Sequence, residues 1–110
     1  MKRTGLAHID NGVAAALDVV GEWWTPLVVH CVLLGETRFD AIQSRLGIAR
    51  NILTDRLNTL VDAGVLERVP YSVRPARHEY RLTEMGHDLH PVLEALETWG
   101  NRWMRHGEGR

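Results

Sequence analysis

Arg50, Asn51 and Thr54 share one side of a segment whose other side carries Ile52, Leu53, Leu57, Leu60 and Val61. Those three types are suited to reading base edges. An arginine holds guanine O6 and N7 bidentately or a phosphate, an asparagine suits adenine, and a threonine meets a thymine methyl or a backbone oxygen. Asp55 and Asn58 lie further along the same side and reach base edges only in part. Arg56 sits one turn from Ile52, at the margin of the apolar stripe, where a structural ion pair and a phosphate contact are equally good readings. A second basic group, Arg74 and Arg77, flanks Pro75 in a stretch too short and polar to be core. Arginines at such a tip can reach phosphates or a neighbouring groove, and Arg38 is a third candidate for that positioning role.

Other chemistries are less well served. His87 and His90 stand at i and i+3 with Asp88 between them and His106 beyond, but zinc needs three or four ligands and no third is evident. No metal or cofactor is expected. Cys31 lies in an apolar stretch with His30 as its only basic neighbour, so a core role is the better reading and a thiol redox sensor the sharper alternative. There is no G-x-S-x-G, P-loop, dinucleotide fingerprint or H-E-x-x-H, and an enzyme is not expected.

The reading face must be carried by a helix anchored from behind. Asp40 is the expected cap of a helix to Leu46, and Gly47-Ile48 turn the chain into a second helix, Ala49 to Ala63, stopped by Gly64. Upstream, Asn11-Gly12 opens a helix through Val20. Thr25-Pro26, a capping residue followed by proline, starts an almost wholly apolar one ending at Leu34. Thr37-Arg38-Phe39 reads as a short extended piece. After Gly64 the period shortens to two, predicting strands over Val65–Tyr71 and Arg77–Thr83 joined by a tip at residues 72–76. Thr83 then caps a long last helix to about Met104, with Pro91 bending it or marking a later start.

The expected fold is therefore mainly α with a small β-hairpin wing: a winged helix-turn-helix with helices added at both ends. It forms one domain over residues 1–110, with the helix-turn-helix at about 40–63, the wing at about 65–82 and the last helix at about 84–104. In that helix Leu93, Leu96, Trp99 and Trp103 recur at helical spacing near the chain end, where a small domain has little left to cover them. A homodimer interface built from these residues and Leu17, with Val20 and Trp23 beside it, is the expectation.

Composition bounds the partners. The chain has 110 residues, 45% hydrophobic and 25% charged, with a formal charge of −1, so no global basicity points to nucleic acid. The distribution does. Residues 38–81 carry eight basic and five acidic side chains, whereas residues 1–37 carry two and four and residues 82–110 three and five. Lys2 and Arg3 precede no apolar run of signal-peptide length, and Pro26–Leu34 is too short to span a bilayer, so a cytoplasmic location without membrane contact is expected.

These residues resemble one family. Val19-Val20-Gly21-Glu22-Trp23-Trp24-Thr25, Gly35-Glu36-Thr37-Arg38-Phe39-Asp40 and Gly47-Ile48-Ala49-Arg50-Asn51-Ile52-Leu53-Thr54-Asp55-Arg56-Leu57 are similar to the HxlR-type winged-helix regulators. So are Ala63 to Arg68, Tyr71, Pro75, Arg77, Glu79 to Gly86 and Trp99-Gly100, which brings the likeness to roughly residues 11–104. The resemblance implies a bacterial transcription regulator that binds operator DNA as a homodimer, its first and last helices forming the dimer. It also implies a cysteine at the start of the first helix in many members, where this chain has Asn11-Gly12. Ala49 replaces a common serine or threonine, and Ala76 a frequent second wing proline.

Double-stranded DNA and a second copy are thus the expected partners, with a small-molecule effector left open. Apolar space between the second and last helices, near Trp23, Trp24 and Trp99, is where such a molecule would sit. A dimeric sensor or protein-interaction module with little DNA affinity is the alternative, kept open by the near-neutral charge and by Ala49.

Overall fold

The computed structural model describes residues 5–6 and 8–105. Lys2, Arg3 and His106, each weighed above, lie outside the described residues.

Helix α1 (Gly12–Val20) opens at Asn11, whose side chain accepts a hydrogen bond from the Ala14 N–H at 2.8 Å. Helix α2 (Trp24–Leu33) begins before the expected Thr25-Pro26 start because Glu22, not Thr25, supplies the cap. Glu22 Oε1 accepts from the Trp24 and Thr25 backbone N–H groups at 2.8 and 3.1 Å, while Thr25 is buried and donates its hydroxyl to the same oxygen at 3.2 Å. A carboxylate there satisfies orphan donors and complements the helix dipole. Apolar on nearly every side, α2 is central, with Val28, Val29, Cys31 and Val32 all buried.

Helix α3 (Phe39–Leu46) starts ahead of Asp40, which lies in its first turn rather than capping it; Arg38 holds the cap position without a side-chain bond. Gly47 closes α3 at φ +67°, a left-handed conformation that L side chains rarely adopt, and α4 (Arg50–Asp62) follows. Ala49 at the α4 cap makes no side-chain hydrogen bond. The apolar face of α4 is anchored by Leu53, Leu57 and Leu60, all fully buried with Ile42 of α3.

Strands β1 (Leu66–Val73) and β2 (Ala76–Leu82) pair antiparallel, extending further than expected so that the tip narrows to Arg74-Pro75. The register slips between Pro70, opposite His78, and Ser72, opposite Arg77, leaving Tyr71 as the extra residue of a β-bulge. The extended piece at residues 37–39 joins the wing at its root: Arg38 bridges Glu79, and the Tyr80 N–H donates to the Thr37 carbonyl at 2.7 Å.

The expected long last helix is two. Thr83 caps the short α5 (Glu84–His87) by accepting from the Gly86 N–H at 3.1 Å, and α6 (His90–Trp103) has Pro91 in its first turn, where the missing N–H is not needed. Gly86 is pressed against the root of β1: a Cβ there would stand 2.3 Å from the Val65 carbonyl oxygen. Leu93 of α6 joins the core with α2 and α4. The fold is mainly α with a two-stranded wing, flanked by α1 and α6.

Candidate nucleic-acid interface

Between the start of α3, the first half of α4 and the wing lies an open cleft of about 760 Å³. Arg38, Arg50 and Arg77 enter it, as do Thr54, Phe39, Tyr71, His78 and Tyr80; Asp40 is the one acidic lining residue. Thr37 and Arg38, just ahead of α3, pair with β2 and so tie the helix-turn-helix to the wing on the far side of the cleft.

Two of the three arginines, Arg38 and Arg50, are held rather than loose. The Arg38 guanidinium stacks on the Tyr71 ring, 3.8 Å from its centroid. Arg50 lies over Phe39 at 4.6 Å and reaches Asp40 Oδ1 at 3.8 Å from Nη1. Both aromatic contacts orient a guanidinium through its face rather than its N–H edges. The Thr54 hydroxyl donates back to the Arg50 carbonyl at 3.0 Å. Asn51, next on the outer face of α4, is exposed, and so are Arg74 and Arg77 at the wing tip.

Three residues of α4 are occupied elsewhere. Arg56, for which a structural pair and a phosphate contact are equal readings from sequence, makes the structural pair: its Nη2 donates to Glu22 Oε2 at 3.2 Å, its Nε lies 2.8 Å from Glu22 Oε1, and its Nη1 also bonds Asp55. Only about a quarter of its side chain is exposed. Burial of Glu22 alone would push its carboxyl up. The Arg56 hydrogen bond, the Trp24 N–H, the Arg56 charge and the Thr25 hydroxyl outweigh that and hold it below the ordinary range. The same hydrogen bond raises Arg56. Asn58 accepts from Arg68 Nη2 of β1, a brace between helix and wing rather than a free base reader. Sequence reasoning missed Tyr71, Phe39 and His78 as cleft residues; the bulge that aims Tyr71 has no local signature.

The residues expected at a dimer interface divide. Leu17, Leu96, Trp99 and Trp103 are each about half exposed, whereas Leu93 is buried in the chain's own core. An apolar groove of about 400 Å³ runs between α1, α2 and α6, lined by Val13, Leu17, Val20, Val29, Val92 and Leu96 among others. Trp23, Trp24 and Trp99, expected beside that space, do not line it; Trp23 projects outward and is 85% exposed. Cys31 is 2% exposed, and burial pushes its thiol up. Among the described residues no three His, Cys, Asp or Glu side chains gather as a metal site; His90 Nε2 instead approaches Glu94 Oε2 at 3.9 Å. No single described helix is long and apolar enough to cross a membrane.

An anchored helix with a polar outer face, set beside an arginine-bearing wing, defines a winged helix-turn-helix DNA-binding protein. The chain belongs to the HxlR-like helix-turn-helix family, whose profile matches residues 19–108. It is 43% identical over 111 residues to Rv3095 of Mycobacterium tuberculosis, an uncharacterised HTH-type transcriptional regulator, covering 99% of this chain and 70% of that one. Among solved structures it is similar to PA1607, described as a candidate transcription factor, with 42% identity and a TM-score of 0.83 over 91% of this chain and 70% of that one. It is also similar to the redox regulator HypR in its reduced form, at 30% identity and a TM-score of 0.78, covering 88% and 99%. The chain is thus a DNA-binding transcription regulator by family, and not an enzyme.

Proposed function

We propose that the chain acts in the cytoplasm as a homodimer that binds a palindromic operator and represses by occluding a promoter. The observation that carries the reading is the cleft itself: α4 offers Arg50 and Thr54 on one wall, with Asn51 exposed beside them, and the wing offers Arg77 on the other, with Arg74 at its tip. In this reading α4 enters the major groove, where Arg50, Asn51 and Thr54 meet base edges. Arg38, Arg74 and Arg77 hold phosphates or the adjacent minor groove. The second copy is argued from α6. Val92, Leu96, Trp99 and Trp103 are spaced four, three and four apart and lie on one stripe, each about half exposed. Burying such a stripe against its own equivalent removes an apolar surface that monomers rarely keep, and two readers make a palindromic site natural.

Selection from random duplex DNA tests this, with an Arg74→Ala, Arg77→Ala double variant in parallel. Enrichment of an inverted repeat by the wild type, weakened in the variant, is the expected result. Enrichment of nothing by folded protein overturns it. The apolar groove between α1, α2 and α6 favours a second reading, in which an apolar effector enters there and alters binding. Because the groove walls include the helices assigned to the dimer, the thing altered would be the spacing of the two reading helices.

A further inference from the structure

The geometry points to Tyr71 as a positioning residue for DNA: displaced from the strand ladder by a β-bulge, its ring holds the Arg38 guanidinium in the cleft as a preset phosphate contact. The inference rests on the DNA-binding reading above and assigns a role to a residue with no charge of its own.

Two independent features converge on Tyr71. The first is the register slip between Pro70 and Ser72, which leaves Tyr71 without a ladder partner. A bulge bends a strand and re-aims one side chain, at the loss of regular pairing. The second is where that side chain goes: its ring lies under the Arg38 guanidinium, 3.8 Å from carbon to centroid. Arg38 is fixed from behind as well, because its backbone bridges Glu79 and the preceding Thr37 carbonyl accepts from the Tyr80 N–H. Backbone and side chain are both located before any DNA arrives.

Among the described residues no carboxylate is paired with the Arg38 guanidinium. A partner of the usual kind would neutralise the charge and compete with phosphate, whereas an aromatic face orients a guanidinium and leaves its charge and donors available. Stacking also spares rotamer entropy that a free arginine gives up on binding. Arg38 stands at the entrance to α3 and Tyr71 on the wing, so the stack also ties the two walls of the cleft together.

The test is duplex binding at fixed salt by the full chain and by Tyr71→Leu, Tyr71→Phe, Arg38→Ala and the Arg38→Ala, Tyr71→Leu pair. Tyr71→Leu is expected to weaken binding about three- to tenfold with the sequence preference and melting temperature unchanged. Tyr71→Phe should stay within about twofold, since it keeps the ring. Tyr71→Leu should have no further effect once Arg38 is alanine, a dependence that a merely structural tyrosine would not show. In an Arg38→Lys background it should again do little, because lysine keeps the charge without the planar stack. Equal weakening by Tyr71→Leu with and without Arg38, or binding as tight as wild type, overturns the inference while leaving the DNA reading intact. Absence of binding to any duplex by the wild type overturns both.

Discussion

Asn51 sits on the exposed face of α4 with none of the packing that holds its neighbours Leu53 and Leu57. Replacing it with alanine is therefore expected to leave the fold unchanged and to relax preference at one base pair, by roughly 1–3 kcal/mol of discrimination. Selection with the variant beside the wild type checks it, and an unchanged preferred sequence would show that the reading face lies elsewhere. Cys31 makes the opposite case. Buried in α2 with its thiol pushed up, it presents little thiolate to an oxidant. Mass spectrometry after brief alkylation at neutral pH should find it unmodified in native protein and fully modified in denaturant. The exposure of Asn51 and the burial of Cys31 were both legible from sequence because each follows from the residue's place in a local pattern. Arg56 was legible only as a choice between two roles, since its partner Glu22 is 34 positions away.

Glu22 shows what an element boundary can carry. Placed between α1 and α2, it caps α2 and grips Arg56 on α4, so one carboxylate ties the amino-terminal helices to α4. Glu22→Gln is expected to lower stability by about 1 kcal/mol at neutral pH through the weakened cap and pair. The sign with pH follows from the depressed carboxyl. Its contribution is complete above the unfolded value of about 4.3 and is lost as pH falls through the lower folded value, so wild type and variant should converge in acid. Thermal melts across pH 3–7, a range of roughly four units, measure this. On the wing, the Arg74→Ala, Arg77→Ala pair should weaken binding to all duplexes alike and flatten the salt dependence by about 0.9 per lost phosphate contact. Most elements could be read from apolar spacing and punctuation, as Gly47, Gly64 and Thr83 show. The later start of α6 is one of the two readings that Pro91 offers, but the α2 start and the Tyr71 bulge could not be read. The bulge depends on a register that only the paired strand defines, whereas the α2 start is missed although its cap, Glu22, is only two residues before Trp24.

At the scale of the molecule, core and proposed interface share α6: Leu93 faces inward, while Val92, Leu96, Trp99 and Trp103 remain half open. Leu96→Asp is expected to leave the helical content intact and convert dimers to monomers. Sedimentation across a concentration range would show it, and a variant that still sediments as the wild type does would remove α6 from the interface. The charge pattern shows at this scale too. Arg38, Arg50 and Arg77 converge on one cleft while acidic excess lies in the flanking segments, so a chain of formal charge −1 is electrically lopsided. A separation medium that responds to total charge and one that responds to local fields should therefore disagree about it. In mildly alkaline buffer the protein should flow through a weak cation exchanger yet be retained on heparin, entering that column cleft first.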